Sequence, residues 1–184
     1  MLLVIWVLIA LVVLLVIIFA SYYNRFTVLS NRIENSLGQI DVQLKRRADL
    51  IPNLVETVKG YAKHEKEAIN AVTEARKSLV GATDLPSRLK ADKTLNGALG
   101  RLFAIAEGYP DLKANTNFLE LQRELTSTED KVAYSRQFYN DSILDYNNKC
   151  KTFPGKIFAG MFGFKEKEYI KIAEEEKQPI KVKF

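Results

Sequence analysis

Residues 2–20 read LLVIWVLIALVVLLVIIFA, nineteen apolar residues in succession without a charge or a proline. As a helix, this run would be about 28 Å long, close to the ~30 Å hydrocarbon core of a bilayer. Ser21, Tyr22 and Tyr23 follow, and tyrosine is favoured at the membrane–water interface. A cleaved signal peptide would begin with a basic segment and carry a shorter apolar stretch. The pattern therefore predicts an uncleaved transmembrane anchor over residues 1–23. Its representative anchor residues are Leu2, Trp6, Ala20, Tyr22 and Tyr23.

Basic residues lie on one side of this anchor. Only Met1 precedes it, whereas Arg25 and Arg32 follow it closely and the triplet 45–47 lies further on. Lysine and arginine are enriched on the cytoplasmic side of membrane helices. We therefore expect a single-pass membrane protein with its N-terminus outside and its C-terminal domain in the cytoplasm.

Beyond the anchor, apolar residues recur at steps of three and four from Phe26 to about residue 80. This is the period of a helix with one buried face, so we expect the anchor to continue into one long soluble helix. Pro52 either kinks that helix or begins a second one, because proline lacks an N–H and clashes one turn back. The apolar phase carries through Pro52, which favours the kink.

Two turn signals divide the rest of the chain. Residues 81–86 (GATDLP) end one helix and begin another, which runs to the turn at 108–111 (GYPD). A last long helix follows from Phe118 to Cys150, and Thr126–Glu129 resembles a capping box at which it could break. Alternation typical of a strand is confined to residues 179–184.

These patterns predict an all-α fold, with an N-terminal transmembrane helix followed by an antiparallel up-and-down bundle of long helices. The predicted segments are a transmembrane anchor (1–23), a helical bundle domain (24–150), and a C-terminal aromatic and basic segment with its tail (151–184).

Patterns that carry catalysis are missing from the sequence. A di-iron bundle needs Glu-x-x-His on each of two helices, but His64 is the single histidine and Tyr61 stands where the glutamate should be. The stretch around His64, AKHEKE, is typical of a solvated helix. One histidine and one cysteine cannot build a zinc site, and the glycines form no phosphate-binding motif. We therefore expect no enzymatic activity, no cofactor and no metal.

Net charge is +5 with both signs interspersed, which is weak support for a nucleic acid partner. The expected partners are instead the lipid bilayer, further copies of the chain, and other membrane or envelope proteins.

Two segments are candidate contact sites. The basic triplet consists of Lys45, Arg46 and Arg47. It is either a solvated face paired with Asp41 and Asp49, which we favour, or a contact for an anionic partner. Residues 149–171 combine six lysines with large apolar side chains. This mixture suits the headgroup region of a membrane, but the same side chains could cover the open end of the bundle. The apolar members are Phe153, Ile157, Phe158, Met161, Phe162 and Phe164.

Several longer motifs closely resemble the LemA family. They are QIDVQLKRR (39–47), DLIPNLVETVKGY (49–61), EGYPDLKA (107–114), NFLELQ (117–122) and RQFYND (136–141). The resemblance implies a bacterial inner-membrane protein with one N-terminal span and a helical-bundle domain often described as cytoplasmic. Some relatives are associated with magnetosome membrane formation. The resemblance supplies no catalytic residues.

Two functions fit this pattern. The first is a non-enzymatic, self-associating scaffold or interaction protein anchored in the membrane. The second is a lipid-binding or membrane-remodelling protein that acts through the anchor and residues 153–164.

Overall fold

A computed structural model describes residues 1–170 of the 184-residue chain. These residues contain no strand, so the predicted all-α fold is confirmed for them. The strand-like pattern at 179–184 lies outside the described residues. The helices are α1 (Leu2–Tyr61), α2 (Lys66–Gly81), α3 (Leu85–Ala106), α4 (Pro110–Lys113), α5 (Thr116–Lys151) and α6 (Gly155–Phe162).

The chain packs as two units. Unit 1 contains Met1–Leu37 and the chain from Arg136 onward, and unit 2 contains Gly38–Ser135. Both α1 and α5 contribute residues to each unit. The predicted segment boundaries at residues 23 and 150 mark changes in sequence character, whereas the boundaries of the units fall inside helices.

The first part of α1 is apolar and uncovered by the described chain. Its large side chains from Leu2 to Phe19 are between 36% and 77% exposed. Within residues 1–170, α1 is the helix long and apolar enough to cross a bilayer. Leaving so much apolar surface in water is unfavourable, and a bilayer would remove it from water. The structure is consistent with the membrane anchor predicted from the sequence.

The expectation that the first soluble helix continues to about residue 80 is wrong. α1 ends at Tyr61, and α2 begins at Lys66 after a short turn. Ala62 is buried in that turn, while His64 is exposed in it rather than on a helix. Apolar periodicity continues across the turn because both helices bury a face in the same core, so spacing alone does not reveal the reversal.

Within unit 2, α1, α2, α3 and α5 form an up-and-down bundle of four helices. α2 returns along α1, and the Arg76 side chain reaches the Ala48 carbonyl. α3 and α5 also run in opposite directions, since α3 residues Asn96 and Phe103 meet Glu129 and Phe118 respectively.

Pro52 lies on an exposed side of α1 and does not end the helix. A residue with an N–H at position 52 would donate to the Ala48 carbonyl, four residues earlier. In its place, Nε of Arg76 on α2 donates to that oxygen at 2.8 Å. A side chain from the neighbouring helix therefore satisfies the carbonyl that proline leaves free, and a break at Pro52 is excluded.

The other predicted turns are confirmed. α2 ends at Gly81, and Asp84 caps α3 by accepting the N–H of Ser87 at 2.9 Å. This backbone hydrogen bond, with a second from the Ser87 hydroxyl, lowers the pKa of Asp84. In contrast, α5 runs without interruption through Thr126–Glu129, so the break considered there does not occur.

Arg47 lies inside unit 2 and is 1% exposed. Its Nη1 donates to Oδ1 of buried Asp92 at 3.0 Å, and its Nη2 reaches Oε2 of Glu129 at 3.4 Å. Positions 44, 47, 48 and 51 follow the helical period, so residue 47 falls on the buried face of α1 between apolar neighbours. Arg47 is therefore not available for the surface contact considered for the basic triplet.

We expect Arg47→Ala to lower the free energy of unfolding by about 3–5 kcal/mol, because Asp92 would remain buried without this partner. The matched control is Arg46→Ala, which removes an exposed pair with Glu124 and should cost less than about 1 kcal/mol. Chemical denaturation of the full-length protein in detergent measures both. Equal losses for the two variants would contradict the importance of the buried pair.

Candidate functional site

α6 packs against the part of α1 where the apolar run ends. Phenylalanines of α6 and of the residues after it meet aromatic rings of α1 within unit 1. Such pairs stabilise beyond simple area burial when the rings stack with an offset or meet edge to face. The shortest three, by centroid distance, are Tyr22–Phe158 (4.4 Å), Phe19–Phe162 (4.5 Å) and Phe26–Phe164 (4.8 Å).

A tight connection places α6 beside the end of α5. Gly155, the first residue of α6, is buried, and a Cβ there would collide with the Lys149 carbonyl. At the other end, Gly163 takes a left-handed conformation with φ of 75°, which favours glycine. The Phe164 N–H then donates to the Ala159 carbonyl at 3.0 Å and turns its ring back toward α1. Two glycines thus set where α6 begins and how it ends.

Two ionisable side chains that are packed behind α6 stay uncharged. Burial raises the pKa of Tyr146 to about 12, with a smaller contribution from Cys150. Burial also raises the pKa of the Cys150 thiol. Both groups therefore stay protonated at pH 7 and pack as part of the core that includes Phe26 and Ala159.

The opposite side of α6 is also apolar, yet nothing in the described chain covers it. Phe153 is 83% exposed, Ile157 53% and Met161 62%. A step of four residues places Ile157 and Met161 along one side of α6, away from Phe158 and Phe162, and Phe153 is exposed in the turn that precedes the helix. The six apolar residues singled out from the sequence thus divide into three that pack on unit 1 and three that are exposed.

Lysines flank this exposed surface. Lys149 lies over the Tyr22 ring at 4.4 Å, and Lys156 is exposed on α6. Lys151 pairs with Glu166 at 2.8 Å, and this hydrogen bond raises the pKa of Lys151. The surface therefore combines exposed apolar side chains with lysine side chains.

The two remaining residues of the basic triplet lie on the surface of unit 2. Lys45 pairs with Asp49 at 2.7 Å, and Arg46 pairs with Glu124 at 2.7 Å. Asp41, the other aspartate expected to pair with the triplet, pairs with Arg88 instead. Contact between Lys45 or Arg46 and an anionic partner stays a prediction.

Two residues that matter in unit 1 were missed by sequence reasoning. Asn140 and Asn147 lie seven positions apart on α5 and hold the chain near residues 167 and 170. Polar amides two turns apart on the side of α5 that carries Ile143 and Tyr146 were the available signal. Residues 1–170 contain no cluster of three or more His, Cys, Asp or Glu side chains that could hold a metal ion.

Curated relatives resemble much of the chain. "Magnetosome protein MamQ 1" of Paramagnetospirillum magneticum is 26% identical over an alignment that covers 80% of this chain and 64% of the relative. "Magnetosome protein MamQ" of Magnetospirillum gryphiswaldense gives the same identity and coverage. "Protein LemA" of Metamycoplasma hominis is 28% identical across 67% of this chain and 57% of the relative. The chain thus spans less than two thirds of the length of these relatives.

A family model gives broader coverage of the chain. Residues 36–184 match the model of the LemA family. This range contains all five motifs that carry the resemblance noted in the sequence. The resemblance is confirmed, and the chain belongs to the LemA family.

Proposed function

We propose that this chain is a membrane-anchored, non-catalytic helical protein that contacts the lipid headgroup region through the outer side of α6. One observation carries the proposal: α6 is apolar on both sides, and the described chain covers only one of them. An apolar side of a helix is normally buried, against other parts of the protein or in a membrane. Because α6 packs on Phe19 and Tyr22, its uncovered side lies beside the end of the predicted anchor.

The expected energies define what this contact can do. Fully burying a side chain such as Ile157 or Met161 contributes roughly 1.5–3 kcal/mol, and partial burial contributes less. A lysine near an anionic surface adds about 1 kcal/mol. These terms are small beside the insertion of a nineteen-residue apolar helix. The proposed contact therefore fixes how unit 1 meets the lipid surface and makes that contact sensitive to lipid charge, while the anchor provides the attachment.

Shallow insertion also gives this contact a route to membrane remodelling. Apolar side chains that enter only the headgroup boundary occupy space in one leaflet, and such binding depends on curvature and lipid composition. Phe153, Ile157 and Met161 have the size and exposure for this insertion. We therefore extend the proposal to organisation of the membrane around the anchor.

Limited proteolysis tests the lipid contact. In nanodiscs containing anionic lipid, trypsin should cleave after Lys156 several-fold faster in the variant Phe153→Glu with Met161→Glu than in the wild type. The reason is that two carboxylates at exposed apolar positions in and beside α6 would keep it out of the headgroup region. Neither side chain is packed inside unit 1, so the melting temperature in detergent should change little.

The matched control carries two glutamates at exposed apolar positions of unit 2, Val42 and Tyr134, which are 62% and 68% exposed. Its cleavage after Lys156 should follow the wild type. Equal cleavage rates for the wild type and the α6 variant would reject the lipid contact.

A self-associating scaffold is the second proposed function. It is supported by the long helices that follow the predicted anchor, which would present a stable packing surface to other proteins at the membrane. Other membrane or envelope proteins remain proposed partners of such a scaffold.

We also propose that the protein lies in the inner membrane with its C-terminal domain in the cytoplasm, on the support of Arg25 and Arg32 after the apolar run. A thiol at exposed Lys90, introduced as Lys90→Cys with Cys150→Ser, reports the side. A membrane-impermeant maleimide should label it only after cells are lysed. Labelling of intact cells would place the domain outside and reverse the proposed orientation.

A further inference from the structure

Residues 165–170 lie along α5 and are held by two asparagines that each use both polar groups of the side-chain amide. Asn147 donates to the Lys167 carbonyl at 2.8 Å and accepts the Lys167 N–H at 2.9 Å. Asn140 donates to the Ile170 carbonyl at 3.2 Å and accepts the Ile170 N–H at 2.9 Å. An asparagine amide offers a donor beside an acceptor, as a backbone peptide group does. Each pair therefore resembles the hydrogen bonding of a neighbouring strand.

The spacing of the two asparagines requires an extended ligand. Seven residues of α-helix rise about 10.5 Å, and three residues of extended chain cover about 10 Å. Asn140 and Asn147 are seven apart, and the residues that they hold, 167 and 170, are three apart. A helical or turning segment would advance too little to meet both amides.

These contacts recognise backbone at most positions. The side chains of Lys165, Glu166, Glu168 and Tyr169 are exposed. Two side chains are exceptions. Glu166 pairs with Lys151 at 2.8 Å. The Nζ of Lys167 donates to the Ser30 hydroxyl at 3.1 Å and lies 5.4 Å from the centre of the Tyr146 ring. The site therefore selects an extended segment with a lysine at the position that pairs with Asn147.

The site is complementary to its occupant. Asn147 is 2% exposed with the segment in place, so departure of the segment would replace two hydrogen bonds to a peptide backbone with contacts to water. Another extended segment that supplies a carbonyl and an N–H at the same spacing would restore both hydrogen bonds.

The geometry points to a groove on α5 for an extended peptide, filled by residues 165–170 of the same chain and open to the same segment of a second copy. The second copy is the favoured partner because its segment offers identical hydrogen bonds and the same lysine. Reciprocal exchange of identical elements keeps every contact and links two chains. A shared membrane anchor would also keep copies close together and raise their effective concentration. This inference rests on the proposed scaffold function and names the contact through which copies would associate.

Peptide binding to a vacated groove is the first test. In the full-length variant Lys167→Pro with Ile170→Pro, both N–H donors that meet the asparagines are removed, so the chain's own segment should leave. A labelled peptide GFKEKEYI, the sequence of residues 163–170, should then bind this variant in detergent. Adding Asn140→Ala and Asn147→Ala should weaken binding by at least about tenfold. Glu168→Pro is the matched control, because its N–H meets neither asparagine, and its groove should stay filled.

Mixing two variants is the second test. One copy carries Asn140→Ala and Asn147→Ala, and so has the segment without the groove. The other carries Lys167→Pro and Ile170→Pro, and so has the groove without the segment. An affinity tag on the first copy should retain the second, whereas neither variant should retain itself by this contact.

Each result decides one part of the inference. Failure of the peptide to bind the vacated variant, with its helix content by circular dichroism equal to that of the wild type, would overturn the groove. Peptide binding without retention in the mixed sample would overturn exchange between copies. Self-association through the anchor would appear equally in the mixed and unmixed samples. Such self-association would support the scaffold function even if the peptide failed to bind or the copies failed to exchange residues 165–170.

Discussion

Aromatic packing at the end of the apolar run of α1 is the contact on which unit 1 depends. With eight residues, α6 is too short to be stable as an isolated helix, so its stability must come from packing. Rings of α1 supply this packing at Phe19 and Tyr22. Two consequences follow from the same contact. The outer side of α6 is presented beside the predicted anchor, and Phe164 is fixed at the point from which the chain continues to Asn147 and Asn140 on α5.

In unit 2, polar groups inside the helical bundle form hydrogen bonds with residues that are far away in the sequence. Arg76 donates to the carbonyl that Pro52 leaves without a backbone donor. The Arg47 side chain donates a hydrogen bond to Asp92, which is 45 positions later in the chain. Buried polar groups are tolerated when their partners are in place and are unfavourable when a partner is lost. A proline inside a helix and an arginine inside a core are each unfavourable, and hydrogen bonds with α2 and α3 offset the cost at Pro52 and Arg47 respectively.

The sequence predicts most of the fold because most of its signals are local. Nineteen apolar residues, the turns at 81–86 and 108–111, and the apolar period of α5 each follow from neighbouring residues. The reversal at 62–65 was missed because the apolar phase continues through it and no proline stands there. The burial of Arg47 was missed because its charge suggested exposure while its partners lie far along the chain. The pairing of Asn140 and Asn147 with residues 167 and 170 depends on a chain reversal that spacing alone does not encode. The apolar residues of 153–164 were identified, but only the packing of α6 shows which of them are exposed.

Lipid contact by the outer side of α6 is the central functional claim, and fluorescence quenching by lipids tests it most directly. An environment-sensitive probe would be attached at Met161→Cys in a Cys150→Ser background, with Glu120→Cys, an exposed position of unit 2, as the reference. The full-length proteins would be placed in nanodiscs with and without lipids brominated near the headgroup. Lipid contact predicts a blue-shifted emission at position 161 that brominated lipid quenches, and neither effect at position 120. Identical emission and quenching at the two positions would contradict it.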